Sequence, residues 1–577
     1  MKNIDFIINY KTFFKQNKYI SVKDKIKFIN DNKKLINNEV ENLLINLSDN
    51  INIHNKRFVN NKIKYDSDYF LHIFENVDNN IKLDNEQIEV IVTDEDNLLV
   101  VAGAGSGKTT TMTAKVKYLV DKLMVKPNEI IIISFTNQAV NELKQRINKD
   151  FNIPTKICTF HKFGMEIIKN NINSNLNILT NNYDIINDYF KKQMLYQKKL
   201  YRLIKYYPMY FKIKTKDIIL NKIKIKKYKN EDYKDFIYYC CNFIDNLKLR
   251  GYKLEQISNL KGNNRKINYM LKVVYHMYSY YEFYLKENNL IDFSDMINKA
   301  YDILNTQKRI NFNYKYIIID EYQDISKERF KLLKKLSNLC GAKLIAVGDD
   351  WQSIFSFSGS EVSLFTEFEK LMGNAKILRI THTYRNSQEL IDIAGNFVMK
   401  NKFQLKKKLI SNKRLNNPIK LIEYTNLIET LYKCIQIIIE KSSQGNILII
   451  GRYNHDLNTI IDNNYFKYNG KIIVKNYENV DVKFLTVHSS KGLTFDNVIV
   501  INNNDNIYGF PSKVIDDPLI NLINKKEENF VYAEERRLFY VAITRTKNYV
   551  YLLYEKKKES LFIKELLKQN NGINNNF

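Results

Sequence analysis

The stretch NLLVVAGAGSGKTTTM, residues 97–112, decides how the chain folds. Leu98 to Val101 is an uninterrupted apolar run and reads as a buried strand. A glycine-rich turn follows, and then a helix. The turn Ala102-Gly103-Ala104-Gly105-Ser106-Gly107-Lys108-Thr109, with Thr110 behind it, has the form of a phosphate-binding loop. Its first position is Ala where Gly is usual. Glycines let backbone N–H groups curl around phosphate oxygens, and the helix that follows presents its positive end. Lys108 neutralises β/γ charge, and the Thr109 hydroxyl is suited to ligate Mg²⁺.

Reading outward, the pattern repeats. Ile130 to Ile133 is a second apolar run, followed by the helical SFTNQAVNELKQRI. The strand signal returns at YKYIIIDEYQD and AKLIAVGDD, both ending in acids, as at the carboxyl edge of a parallel sheet. Strands alternating with helices predict an α/β fold whose parallel sheet is covered on both faces. Asp320, at the end of its strand, is suited to hold Mg²⁺, and Glu321 beside it to orient and deprotonate water. Between Lys169 and Asn289 long Tyr- and Lys-rich helical segments interrupt the pattern, which reads as a helical insertion. A second set of strands is expected at ILRITHTYRN, GNILIIGRYN, KFLTVHSS and NVIVINN, with YVYLLYE last. They predict a second α/β domain. The final KKKESLFIKELLKQNNGINNNF reads as a short helix and a frayed tail.

The ends and the composition set outer limits. At roughly 100–200 residues per domain, 577 residues predict about three to five units. Residues 1–80 show helical spacing at Phe6, Ile7, Tyr10, Phe13 and Phe14, and at Leu43, Leu44 and Leu47. They are read as a helical extension packed on the rest. The 90 basic and 63 acidic side chains leave a charge of +27, which suits a polyanion but also follows from a Lys- and Asn-rich composition. The five cysteines form no C-x-x-C pair, which argues against zinc and for buried, reduced thiols. There is no apolar run of the ~20 residues that span a bilayer and no secretory signal, so no membrane role and a cytoplasmic location are expected.

Seven motifs now stand in order: the phosphate loop, TFH (159–161), DEYQD (320–324), GDDWQSIF (348–355), TYRNS (383–387), VHSSKGLTF (487–495) and EERRLFYVAITRTK (534–547). Together, from about Leu83 to Leu553, they resemble the UvrD/Rep branch of superfamily 1 DNA helicases. The Trp of GDDWQS, and only about 90 residues from Ala394 to Lys483, are closest to the helicase IV pattern. The resemblance implies two RecA-like parallel-sheet motor domains. The first takes residues 81–168 and 290–380, with the helical insertion at 169–289 as a candidate DNA contact. The second takes residues 381–555, and residues 556–577 form a C-terminal helix and tail.

It also implies roles. ATP and Mg²⁺ are the cofactors. Gln87 stands where relatives read adenine, and Tyr384 where an aromatic ring stacks on the base. Gln352 couples the γ-phosphate to the DNA track. Arg385 and Arg545 stand where two arginines from the far side of the cleft meet the γ-phosphate. Phe135, Thr159, Phe160, His161, Phe355, Phe357 and His488 fall along the track, where bases stack on aromatic rings. Two positions depart from the pattern. Ser358 replaces an Arg that bridges Gln352 to the phosphate in many relatives, and Thr494 replaces an acid near the nucleotide sugar.

A basic, aromatic segment from Lys191 to Asn230 carries Tyr196, Tyr201, Tyr206, Tyr207, Tyr210 and Tyr228, with Asp217 as its one acid. It is either a DNA contact or a solvated helical face. The expected partners are single-stranded DNA and single/double-strand junctions. Three readings of function remain: a helicase stepping 3′ to 5′; a translocase that displaces bound proteins with little unwinding of its own; and a catalytically weak DNA-binding scaffold. Intact Lys108, Asp320, Glu321, Arg385 and Arg545 argue against the third.

Overall fold

The computed structural model describes residues 2–78, 80–171, 176–194, 197–212, 229–306, 311–441, 445–515, 517–524, 528–568 and 573–574. Six strands form the first sheet: β1 (Asn97–Ala102), β2 (Ile130–Ser134), β3 (Lys156–Thr159), β4 (Tyr316–Ile319), β5 (Lys343–Gly348) and β6 (Lys376–Ile380). Their order is β3-β2-β4-β5-β1-β6, all parallel. The near-continuous apolar runs explain this arrangement. Leu99, Val101, Ile131, Ile133, Ile317 and Ile319 enter the core on one face, and Leu98, Val100, Ile130, Ile132 and Ile318 enter the core on the other. A strand buried on both faces has no polar alternation to show.

The stretch ILRI was expected in the second set of strands, and the structure corrects this. β6 pairs with β1, Leu98 opposite Lys376, at the edge of the first sheet. The chain leaves this sheet only after Ile380, which apolar character alone does not signal.

The second sheet holds β7 (Ile419–Tyr424), β8 (Ile447–Gly451), β9 (Phe466–Tyr468), β10 (Ile472–Val474), β11 (Val482–Thr486), β12 (Asn497–Val500), β13 (Val550–Glu555) and β14 (Ile573–Asn574). The order is β9-β10-β11-β8-β12-β13-β7-β14. It is parallel from β11 to β14 and antiparallel at the β9-β10-β11 edge. Leu448, Ile450, Val498 and Leu552 line one core; Ile447, Ile449, Ile499 and Leu553 line the other. Within the tail read as frayed, Ile573–Asn574 instead supply β14, which pairs with Ile419 and Lys420 at the start of β7.

Before the first sheet, helices Lys2–Lys15, Val22–Asp31, Glu41–Ile45, Leu47–Tyr65 and Ser67–His72 build the extension. Phe6, Phe13, Phe28 and Leu47 form its core, whereas Ile7 faces outward. It docks through a helix end. The backbone N–H groups of Val22 and Lys23 donate to Glu95 (2.9 Å) and Asp96 (2.7 Å), the two acids that precede β1.

The insertion is helical, with Tyr183–Gln193, Gln197–Tyr206, Lys234–Leu249, Leu254–Ser258 and Arg265–Glu287. Its core also takes Leu519 and Ile523, from a short helix (Pro518–Ile523) in the second half of the chain. Of the basic, aromatic segment, Tyr196, Tyr228 and Asp217 lie outside the described residues. Tyr201, Tyr207 and Tyr210 pack partly buried against the insertion core, which leaves them less free for DNA than a solvated face would. All five cysteines are free thiols. No helix among the described residues is long and apolar enough to cross a membrane.

Candidate functional site

The glycine turn after β1 lies where the two sheets meet. Gly105 and Gly107 adopt φ of 71° and 78°, the left-handed region where a side chain is strained. Space forbids one too. A Cβ on Gly105 would stand 2.4 Å from Cβ of Arg385, and one on Gly103 would stand 2.7 Å from Cδ2 of Leu409. Thr383 Oγ1 donates to the Ala104 carbonyl at 2.7 Å, and the Tyr384 N–H to that of Gly105 at 3.0 Å. The segment after β6 thus presses directly on the turn.

Gln87 anchors the other side. It shares a reciprocal cap with Asp84 at the start of helix Asn85–Val92, and its Nε2 donates to the Ser106 carbonyl at 3.2 Å. Tyr384, though largely exposed, donates its hydroxyl to Asp84 at 2.8 Å. Gln87 and Tyr384 therefore converge on one carboxylate beside the turn.

Lys108 and Thr109 open the helix Lys108–Asp121, with Thr110 next. Asp320 directly follows β4, and its Oδ1 accepts the Glu321 N–H at 2.9 Å. Glu321 has φ of 51°, a strained conformation for a non-glycine residue, and accepts from Gln323. Burial and the charge of Glu321 push the Asp320 carboxyl up. Burial pushes Glu321 up too, but Lys108, Lys491, Gln323 and Arg545 outweigh it, so Glu321 stays ionised.

The third motif joins the two lobes. Trp351 is 1% exposed and lies in the core of the second sheet, donating through Nε1 to the Leu405 carbonyl at 3.1 Å. Gln352 donates to Asp349 at 2.6 Å and accepts from Arg545 Nη2 at 3.0 Å. Arg545 is 1% exposed, and burial together with the nearby charge of Arg385 lowers its pKa to about 9. Arg385 donates to the Thr544 carbonyl at 3.5 Å. The glycine turn, the paired acids, Gln352 and both arginines thus share one seam.

Three residues there were not foreseen. Lys491 reaches across the seam to Asp324 (2.5 Å) and to the Gln352 carbonyl (2.8 Å). Lys407 pairs with the fully buried Asp349 and Asp350, 4.7 Å over the Trp351 ring. Arg329 lies over the rings of Phe135 and Phe160.

The aromatic candidates form two groups. Phe355, Phe357 and His488 cluster at 5.2–5.9 Å between centroids, with Phe357 60% exposed. Phe135, Phe160 and His161 lie at the ends of β2 and β3, and His161 meets Phe293 edge-on at 5.7 Å. Phe160 is 2% exposed, so it backs Phe135 rather than offering a face, and Thr159 is buried beside it. Burial lowers the pKa of both His161 and His488 to about 4, so both are neutral at pH 7. Ser358 Oγ donates within its own turn, to the Phe355 carbonyl at 2.9 Å.

A strand-to-glycine-turn cradle, acids at the neighbouring strand end and arginines from a second sheet define a two-lobed phosphate-loop protein. The model of the UvrD/REP helicase N-terminal domain matches residues 83–373, and that of the UvrD-like helicase C-terminal domain matches 453–557. The chain belongs to the UvrD/Rep helicase family. It is 28% identical to DNA helicase IV of Escherichia coli (strain K12), over 84% of this chain and 69% of that protein. It is 31% identical to the ATP-dependent DNA helicase Rep of Buchnera aphidicola subsp. Schizaphis graminum, over 56% and 45%. With the ATP-dependent DNA helicase PcrA of Staphylococcus aureus it shares 28% over 56% and 40%. The chain thus spans about two thirds of helicase IV and less than half of those Rep and PcrA relatives.

Proposed function

We propose that the chain is an ATP-dependent DNA helicase that steps 3′ to 5′ along a single strand. The observation that carries this is the meeting of Arg385 and Arg545, from the second lobe, with the glycine turn and Gln352 of the first. The residues fit a nucleotide. Ser106 Oγ is buried in the cradle with no hydrogen-bond partner, as a site for phosphate oxygens would leave it. In this reading the backbone of residues 103–107 cradles phosphates, Lys108 neutralises their charge, and Gln87 and Tyr384 hold adenine. Thr109 and Asp320 are the residues that would hold Mg²⁺, which when bound would neutralise charge between phosphate oxygens. Glu321, kept ionised, accepts the proton of the attacking water. Arg385 and Arg545 stabilise negative charge at the γ-phosphate and so favour lobe closure.

Closure moves His488, on the second lobe, relative to Phe355, Phe357, Phe135 and His161 on the first. Alternating grips on stacked bases then turn hydrolysis into stepping. The division into an extension, two RecA-like lobes, a helical insertion and a C-terminal helix follows the same reading, with single/double-strand junctions as substrate. Ser358 favours a second reading, a translocase that strips bound proteins and unwinds little, because its hydroxyl is spent locally and makes no bridge to Gln352. Strand displacement on duplexes with a 3′ or a 5′ tail, each with and without a bound protein block, tests both. Unwinding of the 3′-tailed duplex alone supports the first. Block removal without unwinding supports the second, and loss of the 5′-tailed duplex alone refutes the polarity.

A further inference from the structure

Arg329 sits in the first turn of the helix Lys327–Cys340, just beyond DEYQD. Its guanidinium lies 5.3 Å from the Phe135 centroid and 5.9 Å from that of Phe160. It lines a small cavity with His161, Ser294, Asn298, Ser326 and Glu328. Among the described residues nothing accepts a hydrogen bond from this guanidinium, and no carboxylate pairs with it. Asp324, whose charge it feels, is paired with Lys491 at 2.5 Å, and the neighbouring Glu328 is paired with Lys331 at 2.7 Å. Burial lowers the pKa only to about 10, so the group stays charged at neutral pH. Arg329 is part-exposed, so a charged fork of five donors with no acceptor in the protein is open to an anionic ligand that supplies one.

We infer that Arg329 is a phosphodiester clamp, its fork taking a backbone phosphate of a single DNA strand whose neighbouring bases lie against Phe135 and His161. The inference rests on the DNA-motor reading above and adds a binding residue to it. The two rings fix the plane of the guanidinium, so little freedom is lost when its donors meet two phosphate oxygens. A tethered diester suits the site, because an aromatic face for a base adjoins the anion position.

Anisotropy of a fluorescently labelled oligothymidylate, titrated with the full chain over a series of salt concentrations, tests this. Arg329→Met is expected to weaken binding about tenfold and to flatten the slope of log affinity against log salt by about 0.7, one single-strand phosphate contact. Arg329→Lys keeps the charge, hence the slope, and loses only part of the affinity. The Met variant should melt no lower than the parent, since no ion pair or hydrogen bond of the guanidinium is lost. An unchanged slope in the Met variant overturns the clamp while leaving the motor reading standing. So does a large fall in its melting temperature, or a flattened slope in the Lys variant. Absence of oligothymidylate binding by the parent chain overturns both.

Discussion

Replacing Lys491 with Met removes the cation that spans the seam. Its side chain is 8% exposed and Asp324 6%; they meet at 2.5 Å, and Lys491 also holds the Gln352 carbonyl at 2.8 Å. Breaking a buried pair by deleting one partner costs roughly 3–5 kcal/mol. Part of that returns, because Asp324 takes up a proton: burial already pushes its carboxyl to about 6 with Lys491 beside it. A net loss of about 2–3 kcal/mol remains, charged to the state in which the lobes meet. At 1.4 kcal/mol per decade that disfavours closure about 30- to 150-fold. Strand-stimulated ATP hydrolysis, which needs Gln352 and Arg545 in register, should fall by a similar factor in kcat. Asp324→Asn should behave alike, and the double variant should be scarcely worse than either single one, a coupling of about 2–3 kcal/mol. Full activity in Lys491→Met, or strictly additive losses, would refute the account of the seam.

Lys407→Met strands Asp349 and Asp350, both fully buried, at about 3 kcal/mol or more; thermal unfolding should show a fall of several degrees. Gln87→Ala should narrow the preference for ATP over GTP about tenfold, read as the ratio of their kcat/KM values, because a site that hydrogen-bonds a base edge rejects its analogue. His161 has a folded pKa near 4, against about 6.5 unfolded, so the unfolded chain binds more protons between those values. Its contribution is complete above pH 6.5 and is lost as pH falls toward 4, by up to about 1.4 kcal/mol per unit. Asp324 titrates with the opposite sign. The test therefore compares variants: His161→Gln should lose stability less steeply than the parent over that window, and parallel curves would contradict the assignment.

The glycine turn and DEYQD were readable because their spacing is bound to flanking strands and helices, whereas the two arginines were singled out only through the resemblance of TYRNS and EERRLFYVAITRTK to family motifs. Lys407, Lys491 and Arg329 were not, since single cations among 90 basic residues carry no local signal. Their meaning comes from the acids and rings that tertiary packing brings to them. β6 was misread because an apolar run shows that a strand is buried but not which sheet receives it. β7 went unnoticed in IKLIEY, a short run between polar neighbours. The aromatic candidates show the same limit. TFH marks Phe160 and His161 alike, yet only packing reveals that Phe160 supports the surface and His161 borders a cavity.

If the seam between the two lobes hydrolyses ATP when a single strand is gripped beside it, hydrolysis by the full chain must respond to DNA and depend on Lys108. ATP hydrolysis is therefore measured with and without single-stranded DNA for the parent and Lys108→Ala. Strong stimulation by the strand and near-complete loss in the variant are expected. Equal rates with and without DNA, or a fully active Lys108→Ala, would contradict that role of the seam.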